Sequence, residues 1–239
     1  MTEKLCNPDA MVIHDNIARV RERIENACAR VGRDSKDVTL LAVTKTVSVE
    51  RINLAIADGI REIGENRVQE FLSKQEALLP VTAHLIGHLQ TNKAAQIAHR
   101  VAMVQSVDSL RVAQALNTAA VKHGVTLDIL AQVNIGGEES KSGVEPDEAA
   151  EFCAALSEFS ALKLRGMMTI PPISDTEYKK REYFSRMSQL FIDIRTKNVD
   201  NSSMDILSMG MSDDYEEAIL EGSTMVRVGS AIFGRRNYQ

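Results

Sequence analysis

A lysine that closes an apolar run is an amine with little water around it. Lys45 follows residues 38–44 (VTLLAVT). Delivered from such a strand into a dry cavity, it loses solvation, which favours the neutral amine and makes it a nucleophile toward carbonyl carbon. The same position also suits a solvated lysine that merely ends a strand. A second concentration of chemistry is residues 222–234, GSTMVRVGSAIFG. Alternation sets Arg227 on the face opposite Val226 and Val228. With those valines under helices the guanidinium points inward, where it needs a negative partner. An anionic ligand is one such partner, with Gly229 allowing close backbone approach and Ser230 offering an N–H and a hydroxyl. An interior carboxylate such as Asp108 or Glu65 is the other. Residues 208–214 (SMGMSDD) add a small-residue turn before a helix whose N-terminal N–H groups could face the same anion.

Other chemically capable residues are less organised. A strand end falls between His84 and His88, so they share no helical face, and without neighbouring cysteines or a suitable carboxylate no metal site is expected. His14, His99 and His123 read as ordinary helix or loop residues. Gly136-Gly137 with Lys141-Ser142-Gly143 forms a loop after the fifth strand, read as a solvated turn, with a lid as the alternative. Asp213-Asp214 reads as a helix cap. Tyr178, Tyr183, Phe184 and Phe191 read as the packing face of a long helix.

The elements that must position these groups alternate. Strands are expected at 38–44, 62–66, 83–87, 101–107, 127–134, 162–170, 205–211 and 225–233. Helices are expected at 49–57, 68–78, 93–98, 110–123, 146–159, 177–197 and 214–220. Before them, Asn7-Pro8-Asp9 starts a helix over residues 8–32, with Asn7 as cap and apolar positions from Val12 through Ile17, Val20, Ile24 and Ala27. Short connections between strand and helix imply parallel strands with right-handed crossovers. Eight such strands in about 200 residues fit a closed (β/α)8 TIM-type barrel with an additional N-terminal helix covering the last strand. An open doubly wound sheet is the alternative, weakened because no G-x-G-x-x-G follows the first strand. In a barrel the strand ends bring Lys45, Asn66, Gly87-His88, Ser106, Asp108, Asn134, Met168-Thr169, Ser208-Met209-Gly210, Arg227, Gly229 and Ser230 to one rim. One domain spans 1–239, with the barrel at 38–234.

Composition agrees. The chain has 239 residues with 28 Lys+Arg and 33 Asp+Glu, a net charge of −5, which removes the electrostatic drive toward nucleic acid or anionic lipid. At 44% hydrophobic residues it folds rather than stays disordered. Its three cysteines, Cys6, Cys28 and Cys153, are odd in number and far apart, consistent with a reducing compartment. No segment approaches the ~20 apolar residues of a membrane span. A cytoplasmic monomer is expected.

Taken together, LLAVTKT (40–46), IGENRVQE (63–70), HLIGHLQTNK (84–93), VQSVDS (104–109), GMMTI (166–170), LSMGMSDD (207–214) and GSTMVRVGSAIFG resemble the pyridoxal phosphate homeostasis proteins. The resemblance runs from about Lys36 to Arg235. It implies a barrel like the N-terminal half of fold-type III enzymes such as alanine racemase. It further implies that Lys45 carries pyridoxal 5′-phosphate as an internal Schiff base. Arg227, Gly229, Ser230 and the Ser208–Met209–Gly210 turn match phosphate-holding positions, and Asn66 matches a residue beside the cofactor ring. Thr44 and Ser230 depart slightly from the family pattern but keep a hydroxyl. The function implied is reversible holding of the cofactor in vitamin B6 and amino-acid homeostasis, with apo-enzymes that accept it as partners. The rival is a pyridoxal-phosphate enzyme such as an amino-acid racemase, which needs a second base opposite the lysine. The chain stops at Gln239 without the β domain that supplies that tyrosine in alanine racemase, leaving His88 and Tyr215 as candidates. A sugar-phosphate barrel enzyme using Lys45 for aldolase-type chemistry is a third reading.

Overall fold

Eight parallel strands pair in chain order in the computed structural model, and the last returns to the first. Residues 8–138, 141–172, 176–197 and 201–234 are described; Cys6, the Asn7 cap and positions 139–140 of the glycine loop lie outside them. The strands are β1 (Thr39–Val43), β2 (Glu62–Glu65), β3 (Thr82–Leu85), β4 (Met103–Val107), β5 (Leu127–Val133), β6 (Leu162–Thr169), β7 (Ser202–Met211) and β8 (Met225–Val228). The helices are α1 (Pro8–Arg30), α2 (Val49–Ala57), α3 (Val68–Lys74), α4 (Ala94–Ile97), α5 (Leu110–His123), α6 (Ala149–Ser157), α7 (Glu177–Arg195), α8 (Tyr215–Leu220) and α9 (Ser230–Phe233). The expected (β/α)8 barrel with an N-terminal helix is the fold, and closure of β8 onto β1 excludes the open sheet.

Strand alternation sorts the side chains into two regions. Outward residues such as Ala42, Ile63, Val104, Ile129, Leu164, Leu207, Val226 and Val228 are buried beneath the helices. Against them pack Ile52, Phe71, Leu116, Leu156, Phe184 and Ile219 from the helix faces. Each fully buried side chain of this size contributes about 1.5–3 kcal/mol. The stripe Ile13, Ile17, Val20, Ile24, Ala27 of α1 packs over the outer side of the β8–β1 seam, beside α2, α8 and α9.

Some boundaries depart from expectation. Residues 225–233 are not one strand: β8 stops at Val228 and Ser230–Phe233 turns into the short α9. Ala231, Ile232 and Phe233 read as strand formers, yet Ile232 and Phe233 gain burial only by folding back against α1. Asn16 of α1 and Arg51 of α2 then satisfy the exposed carbonyls, donating to Ile232 O and Phe233 O at 2.9 and 2.8 Å. The expected helix 68–78 breaks after Lys74 into a 3-10 turn, and those expected at 93–98 and 146–159 begin as 3-10 turns. Among the described residues no helix is long and apolar enough to cross a membrane.

Candidate functional site

Lys45 sits just beyond β1, half-buried, in a turn where the Val47 N–H donates to Thr44 O at 3.0 Å. Leu41 and Val43 face the barrel interior, and Lys45 is next in that alternation. The turn is gripped from outside the barrel. Thr44 Oγ1 donates to Glu65 Oε1 at 2.8 Å, and Lys74 Nζ donates to Thr44 O at 3.0 Å, Glu65 Oε1 at 2.8 Å and Glu70 Oε1 at 2.7 Å. Thr46 adopts φ 62°, a left-handed conformation that a β-branched residue holds only at a cost of order 1–3 kcal/mol. Its N–H donates to the Glu70 carboxylate, a charge-assisted bond that offsets this strain.

Arg227 lies inside the barrel, 2% exposed. In register it stands opposite Leu41 of β1, four residues before Lys45. Its Nη1 donates to Ser208 Oγ at 2.6 Å and its Nη2 to Thr169 O at 2.8 Å. Neither interior carboxylate considered from the sequence is its partner. Glu65 pairs with Lys74 on α3, and Asp108 Oδ2 meets His88 Nδ1 at 3.0 Å. Alternation explains the first: Gly64 faces the interior against Leu41 and Ile86, so Glu65 faces the helices. Among the described residues no carboxylate lies within ion-pair distance of Arg227. Burial pulls its pKa down to about 10, against the pull of Asp214, so it stays charged at neutral pH.

The other predicted positions divide. Ser208 is fully buried with its hydroxyl between Arg227 and Gln105. Met209 points into the outer apolar layer, so only its main chain is available. Gly210, at φ 92°, lets α8 close in: a Cβ there would lie 2.6 Å from the Ala218 methyl. Gly229 packs on β1, where a Cβ would lie 3.2 Å from that of Val43. Ser230 is exposed at the start of α9. Asn66 lines a cavity of about 240 Å³ at the mouth with Gly87, His88, Gln132, Lys141 and Ile170. Lys45, Arg227, Ser208 and Gly229 thus gather along β1, β7 and β8, and Asn66 follows β2, which pairs with β1 on its other side.

Sequence reasoning missed three contributors. Gln105, a lone amide within a buried strand, was the legible one. Ser212 accepts from the Gly229 and Ala231 N–H groups at 3.1 and 3.3 Å, tying the β7–α8 loop to the start of α9. Lys74 emerges only once α3 lies against Thr44. Where the glycine loop ends, Gln132 Nε2 donates to Ser142 O at 2.8 Å, and Val144 bridges to Val133 of β5. Asp214 occupies the N-cap position of α8, but its side chain makes no capping bond to the helix: the carboxylate accepts instead from Met211 N at 2.6 Å, ahead of it. Of the candidate second bases, Tyr215 is buried in the outer layer under Arg23, away from the interior, whereas His88 is exposed beside the mouth cavity.

A family model described as "Alanine racemase, N-terminal domain" matches residues 15–237. The "Pyridoxal phosphate homeostasis protein" of Aquifex aeolicus is 41% identical over 226 residues, covering 94% of this chain and 98% of that protein. This chain belongs to the pyridoxal phosphate homeostasis family. A crystal structure of an unknown protein from Bifidobacterium adolescentis matches with TM-score 0.90 at 38% identity, covering 95% of this chain and 96% of that one. PipY of Synechococcus elongatus, solved with pyridoxal phosphate bound, matches with TM-score 0.80 at 30% identity, covering 93% of this chain and 100% of that one. An alanine racemase of Clostridium difficile shares the fold, with TM-score 0.77 at 17% identity, but this chain spans only 58% of it. In this member of the pyridoxal phosphate homeostasis family, LLAVTKT, IGENRVQE, GMMTI, LSMGMSDD and RVGS lie at the carboxyl ends of β1, β2, β6, β7 and β8, on one rim.

Proposed function

We propose that the protein binds pyridoxal 5′-phosphate in the upper barrel, with Lys45 holding its aldehyde as a reversible Schiff base. Its role is to hold and release the cofactor in vitamin B6 and amino-acid homeostasis, without catalytic turnover of its own. The observation that carries this reading is Arg227, a buried cation with no carboxylate at ion-pair distance among the described residues, on the strand beside the one that leads to Lys45. An anionic aldehyde fits that pair of groups. The bound cofactor supplies a carbonyl that condenses with an amine, releasing water, and hydrolysis reverses the bond. Every other task falls to the chain. Arg227 supplies positive charge for the anionic ligand, and Ser208 fixes the guanidinium. Gly229, Ser230 and the main chain of Met209 and Gly210 would hold the phosphate, and Asn66 would stand beside the ring. The Thr44–Glu65–Lys74–Glu70 clamp keeps the Lys45 turn in one conformation. Location in the cytoplasm, a monomeric state and transfer to apo-enzymes belong to the same proposal.

A racemase would need a base across from Lys45; Tyr215, one of two candidates, lies in the outer layer. Incubated with pyridoxal phosphate, the purified protein is expected to turn yellow, and borohydride to fix the cofactor on Lys45 by peptide mass spectrometry. Lys45→Ala is expected to fold without forming the adduct. Colourless protein that takes up no added cofactor overturns the reading. Lys45-dependent interconversion of single-enantiomer amino acids would overturn the carrier role.

A further inference from the structure

A line of polar side chains crosses the barrel interior beneath the site. Arg227 Nη1 donates to Ser208 Oγ at 2.6 Å, and Ser208 Oγ donates to Gln105 Oε1 at 2.7 Å. Gln105 Nε2 lies 2.9 Å from His84 Nδ1, and His84 Nε2 faces Glu62 Oε2 at 3.3 Å. The line runs through β8, β7, β4, β3 and β2 and ends at the amino end of β2. Arg227, Ser208, Gln105 and His84 are all buried.

Two of its neighbours set the direction of every bond. A guanidinium only donates, so the Ser208 oxygen accepts and its single proton is left for Gln105. The Met225 thioether, 3.1 Å from Gln105 Nε2, only accepts. The amide NH2 of Gln105 therefore faces Met225 and His84, and its carbonyl faces Ser208. It follows that His84 Nδ1 accepts and its proton sits on Nε2, toward Glu62. Burial keeps that imidazole neutral, with a pKa pushed down to about 4. Each dipole turns its negative end toward Arg227, and in a low-dielectric interior such aligned bonds reinforce one another.

Filling alone does not require these residues. Barrel interiors are ordinarily filled with layers of apolar side chains. This barrel has them on either side of the line: Leu41, Ile86 and Met225 in one cluster, Met103, Leu130 and Met168 in another. Setting an amide, an imidazole and a hydroxyl between them costs desolvation that an apolar layer avoids. What the line adds is a fixed, electrostatically supported guanidinium.

We propose that Gln105 and His84 are positioning residues: acting through Ser208, they lock the Arg227 guanidinium in place and hold it charged before an anion arrives. The inference rests on the reading that Arg227 serves bound pyridoxal phosphate. Gln105→Leu breaks the middle of the line at similar volume. The variant is expected to keep its fold and its borohydride-fixed adduct on Lys45. It should bind pyridoxal phosphate at least tenfold more weakly, with a displaced visible absorption band. In a double-mutant cycle that tenfold loss should vanish when Arg227→Ala is already present. If Gln105→Leu does not fold, His84→Gln is measured in the same cycle, with an expected loss of about threefold. A second measurement needs no cofactor. Hydrogen exchange at the Arg227 guanidinium, followed by NMR in the cofactor-free protein, should speed up at least tenfold in either variant. Unchanged affinity and exchange, or an equal loss in the Arg227→Ala background, overturns the positioning role. A wild-type protein that takes up no cofactor refutes the functional reading instead, and the exchange rates then decide the positioning role by themselves.

Discussion

The inside and the outside of this barrel are made by the same strands and obey different rules. Outward, Val104, Leu207, Met209, Val226 and Val228 pack into the apolar layer beneath the helices. Inward, their immediate neighbours Gln105, Ser208 and Arg227 form a hydrogen-bonded line. Hydrophobic burial is non-directional and depends on area, so the outer layer tolerates changes of shape that keep volume. A buried polar group instead bears its desolvation cost in full when one partner goes. The outer layer therefore sets whether the chain folds, and the inner line sets where a charge stands.

That division can be broken at either side. The largest effect is expected from Phe184→Ala, in the outer layer, which should cost about 3–5 kcal/mol in denaturant unfolding. Cofactor affinity of the folded variant should stay at the wild-type value; weaker binding well below its melting temperature would dissolve the distinction. Next is acid. Burial holds the His84 pKa to about 4 against an ordinary 6.5. Below 6.5 the unfolded chain takes up a proton that the native state refuses. This contribution to stability is thus complete above pH 6.5 and declines as pH falls toward 4, by up to about 3 kcal/mol. Subtracting the pH dependence of His84→Gln from that of wild type isolates it, and a flat difference would show that His84 is not held neutral inside. The smallest effect sharpens the comparison within one residue type. Arg227→Ala should weaken cofactor retention at least as much as Gln105→Leu, tenfold or more, and Arg100→Ala, on the exposed surface, should leave it unchanged; equal retention would detach Arg227 from the site.

Much of this was readable from one dimension. The run 38–44 ending in Lys45 and the alternation around Arg227 located β1, β8 and the rim, because a strand buried on both faces must be nearly all apolar and its exceptions stand out. The β8–α9 boundary was not readable, since Ala231-Ile232-Phe233 suits either state and only the faces of α1 and α2 decide it. Nor was the role of Ser208. The sequence places it near an anion, and the structure shows its hydroxyl bound to Arg227 and Gln105.

Period and composition along the chain determined that a parallel barrel forms and that an amine and a guanidinium reach its upper half. Those properties are local, set by which neighbours in sequence share a face. Which partners those groups meet was decided only by closure of the barrel. Closure sends Glu65 to Lys74 and turns Ser208 and Gln105 toward Arg227, although Gln105 lies 103 positions from Ser208 in the chain. A hydrogen bond needs an atom at one distance and direction, and residues so far apart acquire that geometry only when every strand between them is in register.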